Sequence, residues 1–189
     1  APNTGLVSGI YAIKKSEMDA GTVALRPYDP ANPDPHLIAT FKTSGRVGFG
    51  ADGLACDDEG NLYCGIFEDG EIHKTTFNAD GTPKETKLFA KAPHMASCDG
   101  IVFRAADKKI YVADMLLNAV QAVDMQGGVE TIHKNGDTDG TGGLLDQPCE
   151  ILLRGNELIV VNMDMYFESE LLVNTNIDKP YTVSAIDLE

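Results

Sequence analysis

A glycine-rich loop in the second half of the chain has the spacing of a calcium site. The segment 135–146 carries side-chain oxygens at its first, third, fifth and twelfth positions and glycine at its sixth. The oxygen-bearing residues are Asn135, Asp137, Asp139 and Asp146. Calcium loops of twelve residues place oxygen ligands at these positions. Because the flanking segments 129–134 and 150–154 have the character of strands and not of helices, a plain loop between strands is the alternative. A cation here would be structural.

A second candidate for chemistry is an aspartate–glycine pair that begins a repeated phrase. The two copies start at Asp52 and Asp99, 47 residues apart, and align without a gap as far as a turn. Their sequences are DGLACDDEGNLY and DGIVFRAADKKIY. A degenerate third copy, PCEILLRGNELIV, places Cys149 at the aspartate position. A repeat of this length is typical of one blade of a β-propeller.

The elements that position these residues are predicted to be strands. Apolar, β-branched and aromatic runs alternate with Asp, Gly and Asn turns in both complete repeats, which predicts four strands in each. The predicted strands are 54–57, 61–67, 71–77 and 85–90 in the first repeat and 101–104, 109–114, 119–124 and 129–134 in the second. The runs 110–113 and 158–161 are almost continuously apolar, as expected of strands buried on both faces. No segment has a persuasive helical period.

The predicted fold is therefore all-β, a β-propeller of four-stranded antiparallel blades. We divide the chain into a partial blade at 1–45, complete blades at 46–92 and 93–140, and a partial blade at 141–189, about three to four blades in all. Six blades of this period would need roughly 280 residues. We therefore expect a fragment of a larger ring, whose open strand edges would meet the missing blades or another chain that completes the propeller.

The phrases that begin at Asp52 and Asp99, together with KIYVAD at 109–114, resemble the blade signature of the regucalcin/gluconolactonase family of senescence marker protein type. The resemblance covers about residues 45–165. It implies a six-bladed propeller with one divalent cation, usually calcium, in the central channel, where many members hydrolyse lactones or phosphotriesters. The same phrase also occurs in non-catalytic propellers, so the resemblance indicates the fold more specifically than the activity.

The resemblance also implies cation ligands at the Asp or Asn before glycine at the start of each inner strand, with a glutamate from the first blade. Asp52 and Asp99 match this pattern, and carboxylate oxygens are the hard ligands that calcium prefers. The third equivalent position is Cys149, whose soft thiol suits calcium poorly. Glu150 would supply the missing carboxylate if the register shifts by one residue; otherwise it points outward. Because Asp–Gly is also the chemistry of tight turns, a turn role stays open.

Two residues are candidates for acid–base catalysis. Asp114 ends an inner strand and would act if burial or a neighbouring carboxylate raised its pKa, its alternative role being a turn hydrogen bond. With Asn162 and Asp164 it is expected to line the channel. His94, five residues before Asp99, is either a base in the channel or an ordinary surface histidine. The sequence contains no nucleophile elbow, no zinc-peptidase motif and no phosphate-binding loop.

The composition excludes two classes of partner. The chain has 29 Asp and Glu residues against 15 Lys and Arg, a formal net charge of -14. This charge repels nucleic acid and anionic membrane surfaces, so we expect neither as a partner. No apolar run approaches the roughly 20 residues of a membrane span. We favour a soluble protein in a secreted or periplasmic location over a cytoplasmic one.

The cysteines leave the redox compartment open. The four cysteines are spaced too widely for a zinc ribbon or a redox pair. Cys56 and Cys64 flank a turn, so they either face each other across a hairpin as a disulfide or are free thiols.

Two functions follow from these residues. The first is a calcium-dependent hydrolase of a small-molecule substrate such as a lactone, in which Asp52 and Asp99 hold a cation that polarises the carbonyl oxygen and positions water. The second is a non-catalytic propeller that serves as a binding scaffold for a small molecule or a protein. The family resemblance favours the first function, whereas Cys149 and the incomplete ring favour the second.

Overall fold

The computed structural model describes residues 5–166 and 168–188. Within these ranges thirteen strands form four antiparallel sheets. The strands are β1 (Leu6–Tyr11), β2 (Leu37–Thr43), β3 (Ala51–Cys56), β4 (Leu62–Ile66), β5 (Glu71–Phe77), β6 (Pro83–Lys91), β7 (Ile101–Arg104), β8 (Lys109–Asp114), β9 (Ala119–Asp124), β10 (Val129–Lys134), β11 (Pro148–Arg154), β12 (Glu157–Asn162) and β13 (Val183–Asp187). The all-β prediction is confirmed.

Helical structure in the described residues is limited to short segments. They are the five-residue helix α1 (Lys15–Asp19) and two 3-10 turns, Phe67–Asp69 and Thr141–Gly143. The sequence does not predict α1, because a single turn is too short to show a helical period. Local contacts hold it: the backbone N–H of Lys14 donates to Glu17.

Neighbouring strands in each of these sheets are consecutive in the chain. The sheet orders are β3-β4-β5-β6, β7-β8-β9-β10 and β11-β12-β13, and β1 pairs with β2. Consecutive antiparallel strands need only short turns, which the Asp, Gly and Asn clusters provide. The strands of the second repeat have the predicted bounds, and those of the first differ from prediction by up to three residues at their ends.

Layers of buried apolar side chains hold the sheets together. In β8, Ile110 and Val112 belong to the layer shared with the β3–β6 sheet, whereas Tyr111 and Ala113 belong to the layer shared with the β11–β13 sheet. A third layer, between β1–β2 and the β3–β6 sheet, contains Phe41. Successive side chains of a strand point to opposite faces, so β8 is buried on both sides as the sequence predicts.

The first strands of the three larger sheets are irregular at equivalent places. β3 and β11 both contact β7. In β3 the pairing with β4 shifts between Ala51 and Leu54, and in β11 the pairing with β12 shifts between Pro148 and Glu150. Each shift inserts one extra residue, which is the definition of a β-bulge.

The same irregularity precedes β7. The backbone N–H of Asp99 donates to the carbonyl oxygen of Ala113 at 3.0 Å, and the N–H of Ala113 donates to that of Gly100 at 2.9 Å, so two residues oppose one. Asp99, like Asp52 in β3, therefore lies in strand pairing and not in a hairpin turn. The tight-turn interpretation of the two Asp–Gly pairs is wrong.

Positions 53 and 100 have no room for a side chain, so both must be glycine. A Cβ on Gly53 would come within 2.8 Å of the Ile101 nitrogen, and one on Gly100 within 2.7 Å of the Glu150 Cα and 2.8 Å of the Cys149 carbonyl oxygen. The Gly100 N–H donates to that carbonyl at 2.7 Å, which links two sheets directly. Glycine at this position lets the first strands of neighbouring sheets touch.

The cysteines are all free. The register of β3 and β4 places Leu54 opposite Cys64 and Leu62 opposite Cys56, so the predicted alternative of a disulfide across this hairpin is wrong. Within the described ranges, no helix has the length and apolar character needed to cross a membrane.

The close contact at Gly100 predicts a large loss of stability on substitution. Gly100→Ala should lower the free energy of unfolding by about 1–3 kcal/mol, because the methyl group forces β7 and β11 apart. Gly136→Ala is the matched control, since a Cβ there meets nothing within 4 Å, and it should change stability by less than about 1 kcal/mol. Urea denaturation measures both variants. Equal stabilities would contradict the close approach.

Candidate functional site

The three bulges bring Asp52, Asp99 and Glu150 together. The carboxyl groups of Asp52 and Asp99 lie close enough to share a proton, and the charge of Glu150 raises the pKa of both. Glu150 stands where the other two copies have glycine, and its Oε1 reaches the space beside Gly100. The same oxygen accepts a hydrogen bond from the Ile151 N–H at 2.8 Å. All three sequence-predicted channel ligands therefore meet at one place.

Burial and like charges determine the protonation of this cluster. Burial is the main cause that raises the pKa of Asp99, to about 8, followed by the charges of Asp52 and Glu150. Desolvation also raises the pKa of Asp52. Asp52 and Glu150 nevertheless have exposed side chains, and Asp99 is half-buried. Protein thus surrounds the carboxylates while solvent still reaches them, as on the wall of a channel.

Two thiols border the carboxylates. Burial raises the pKa of Cys149 to about 11, with further contributions from the charges of Asp99 and Glu150. Burial likewise raises the pKa of Cys64 to about 12 beside Asp52. Both groups stay protonated at neutral pH, and a protonated thiol is neither a good nucleophile nor a metal ligand. The ligands that this cluster offers to a metal ion are therefore carboxylate oxygens and not thiolates.

The donor set fits a hard divalent cation in its chemistry. It contains three carboxylates, and the charged groups that act on both aspartates are acidic. The side chains as they stand do not surround a metal position: in the part of the chain described, no three His, Cys, Asp or Glu side chains are arranged to hold an ion. Loading would require loss of the Asp99 proton and a turn of Glu150 away from the Ile151 amide.

Asp114 does not join the cluster. Its Oδ1 accepts from the N–H and the hydroxyl of Ser97, both at 2.9 Å, and its Oδ2 accepts from the Ala96 N–H at 3.1 Å and Gln121 Nε2 at 2.9 Å. Burial raises its pKa, but four donors already occupy the carboxylate. Asp114 holds the loop that leads into Asp99, which is a positioning role.

His94 lies apart from the carboxylates as well. It is exposed, and its Nε2 is 3.0 Å from the carbonyl oxygen of Val129 in the outermost strand β10. Its own carbonyl accepts from Gln121 Nε2 at 2.8 Å. The structure therefore brings neither of the two acid–base candidates to the cluster.

The loop 135–146 does not gather its four predicted ligands. Three of them accept hydrogen bonds from protein donors, namely Asn135 from Leu145, Asp137 from Thr175 and Asn176, and Asp139 from Thr141. The loop closes on itself through the bond between the Leu145 N–H and the Asn135 side chain, so protein donors occupy the oxygens that a calcium loop would turn towards an ion. The fourth, Asp146, is buried and retains an unpartnered oxygen.

A cavity of about 800 Å³ adjoins the cluster through Cys149. Its walls come from the segments that follow β12 and precede β13, and they include Met163, Met165, Ile177 and Tyr181. The volume lies in the range of small-molecule sites. Sequence reasoning missed the cavity apart from Asn162 and Asp164, because its walls belong to loops without regular structure.

Solved structures similar to this chain include three enzymes. A gluconolactonase from Xanthomonas campestris matches with a TM-score of 0.53 and 12% identity, over 74% of this chain and 44% of its own. A luciferin-regenerating enzyme matches with a TM-score of 0.48 and 16% identity, over 71% and 45%. A virginiamycin B lyase from Staphylococcus aureus matches with a TM-score of 0.42 and 13% identity, over 74% and 41%.

The similarity to the gluconolactonase shows the fold and nothing finer. The chain is an all-β protein of β-propeller type, and it spans less than half the length of these solved structures. A scan against protein-family models and a search of curated proteins both find no match.

The raised pKa of Asp99 predicts a pH dependence of stability. The folded state keeps this proton up to about pH 8, whereas an unfolded aspartate loses it near pH 4. The folded state therefore binds more protons between these values, and stability falls as the pH rises. Asp99→Asn has no carboxyl group to titrate at this position, so this fall in stability with rising pH should be absent from the variant. In chelator-treated protein, the stability of the variant relative to the wild type should increase by about 1–3 kcal/mol between pH 5 and pH 8, allowing for solvent screening.

Urea denaturation at the two pH values measures this difference. Asp187→Asn, at an exposed position of β13, is the control and should behave like the wild type at both. If the stability difference between Asp99→Asn and the wild type is the same at both pH values, Asp99 does not hold a proton in the folded state.

Proposed function

We propose that this chain is part of a six-bladed propeller of the regucalcin/gluconolactonase type, and that it hydrolyses a lactone or related ester with a divalent cation, preferably calcium. The observation that carries the proposal is the convergence of Asp52, Asp99 and Glu150 from the first strands of three consecutive sheets. Because 74% of this chain already covers 44% of the gluconolactonase structure, the whole chain corresponds to somewhat more than half of it, which supports three to four of six blades.

The carboxylates would hold the cation, and the strands around them would fix its position. When bound, a divalent cation polarises a carbonyl oxygen and lowers the pKa of an adjacent water molecule. Asp52 and Asp99 offer oxygens from bulges whose backbone is fixed by neighbouring strands, and Glu150 adds a third charge. Asp114 acts through the Ser97 loop to keep Asp99 in place.

The cavity beside Cys149 is the candidate substrate site. Its apolar walls, which include Met163 and Tyr181, suit an ester with an apolar substituent and would exclude water from the part of the substrate that does not react. Asn162 and Asp164 supply polar groups on the same wall. A substrate bound there would extend towards Glu150, the next residue in the chain after Cys149.

The second candidate is a non-catalytic propeller that binds a small molecule in the same cavity. Two observations favour it. The carboxylates do not surround a metal position as they stand, and Asp114 and His94 are engaged away from them. A scaffold needs neither a cation nor an acid–base group.

Calcium binding and lactone hydrolysis together test the proposal. Calorimetry on chelator-treated protein should detect calcium binding, and acid release from simple lactones should require added calcium. Asp99→Asn should weaken calcium binding at the channel by at least about tenfold, because one of three charges is lost, and should abolish hydrolysis. The control Asp187→Asn should leave both unchanged.

The outcomes separate the two candidates. Calcium binding that Asp99→Asn weakens, without hydrolysis of any lactone, would favour the scaffold. Calcium binding that neither Asp99→Asn nor Asp52→Asn weakens would contradict the channel site itself.

A further inference from the structure

Three buried side-chain oxygens near the end of the loop 135–146 have no hydrogen-bond partner. They are Oδ2 of Asp146, Oδ1 of Asp164 and Oδ1 of Asn174, on residues that are 1%, 2% and 0% exposed. Elsewhere in the described residues, one further buried side-chain atom, on Asp107, lacks a partner. An unpartnered buried polar atom costs roughly 1–3 kcal/mol, and more when it is charged. Three of them in one region require an explanation.

Hydrogen bonds of Gln147, the neighbour of Asp146, place these residues close together: Gln147 accepts from the N–H groups of Met163 and Met165 on either side of Asp164 and donates to the carbonyl oxygen of Asn174. Asn174 Nδ2 donates to Asp146 Oδ1, and the N–H of Asp178 donates to Asp164 Oδ2. Burial raises the pKa of Asp146 to about 6, and the charge of Asp164 adds to this shift. Each carboxylate therefore has one oxygen tied to the protein and one oxygen left over.

The free oxygen of Asn174 is fixed in direction by the rest of its amide. Its Nδ2 donates to the Thr138 carbonyl oxygen at 3.1 Å and to Asp146. Rotation of the amide would set Oδ1 against these two acceptors, so the hydrogen bonds assign its orientation. The amide oxygen thus stays available, beside two carboxylates that also present only acceptors.

We propose that Asp146, Asp164 and Asn174 bind a hard divalent cation, calcium in the first instance, at a site separate from Asp52 and Asp99. Two carboxylate oxygens and one amide oxygen are ligands of the type that calcium selects, with backbone carbonyls and water to complete its six to eight contacts. A water molecule has two protons and cannot satisfy three acceptors. None of the ion pairs among the described residues neutralises Asp146 or Asp164.

This site differs in composition from the twelve-residue loop that the sequence predicts. Of that loop it uses Asp146 alone, and its other ligands come from residues 164 and 174. Its cation would join three segments: the approach to β11, the exit from β12 and the connection between β12 and β13. Because Asp164 also lines the cavity, the cation would fix the cavity wall. This structural role does not rest on the proposed hydrolase.

Calorimetry and thermal unfolding of chelator-treated protein test the site with calcium as the probe. The wild type should bind calcium at two places, and calcium should raise its unfolding temperature. In Asp164→Asn the affinity of this site for calcium should fall by at least about tenfold, so that one of the two binding events is lost. Most of the rise in unfolding temperature on addition of calcium should be lost as well. Asparagine keeps an acceptor for the Asp178 N–H and tolerates the positive φ of 48° at this position, so the variant should fold without calcium.

Asp80→Asn is the matched control, because Asp80 lies in the turn between β5 and β6 and its carboxylate is already bound by Thr82. It should bind calcium like the wild type. Full calcium binding by both Asp164→Asn and Asp146→Asn would overturn the proposal. So would a loss of binding in Asp139→Asn as large as that in Asp164→Asn, which would favour the twelve-residue loop; the charge of Asp139, which acts on Asp146 from outside the site, accounts only for a smaller loss. Asp99→Asn should retain this site, so the failure of the channel site is a separate result.

Discussion

The strands β3, β7 and β11 approach one another so closely that backbone meets backbone, and the rest of the structure depends on this contact. The Gly100 N–H reaches the Cys149 carbonyl of the next sheet, and Gly53 leaves room for the backbone at Ile101. The apolar layers packed between neighbouring sheets keep these strands in position. A bulge at the contact then redirects the side chains next to it.

Three carboxylates gather at this contact because backbone packing, and not charge, decides where they lie. Like charges at short range disfavour ionisation, and the cluster relieves this by keeping a proton on Asp99. A divalent cation would neutralise the same charges without that proton. The buried carboxylate of Asp114 stands in contrast, since its four donors leave it nothing further to bind. The two environments explain why Asp99 is a candidate ligand whereas Asp114 is a positioning residue.

Local patterns predict much of this fold, and contacts between distant segments account for the rest. The strands β7 to β10 have the predicted bounds because turn residues and apolar alternation are properties of neighbouring positions. The repeat alignment and the family resemblance together led to Asp52, Asp99 and Glu150. No local pattern reveals that Gln121 reaches Asp114, or that Asn174 donates to Asp146 from 28 residues away. The spacing of the loop 135–146 does not reveal that protein donors bind three of its four oxygen-bearing side chains.

Anomalous diffraction from crystals soaked in a lanthanide that replaces calcium would show whether the three bulges create a cation site. We expect an anomalous peak between the carboxylates of Asp52, Asp99 and Glu150, with Glu150 turned away from the Ile151 amide. A second peak at Asp146, Asp164 and Asn174 would show that the soak had loaded the protein. Crystals with that second peak but no density between Asp52, Asp99 and Glu150 would show that the bulges do not form a cation site.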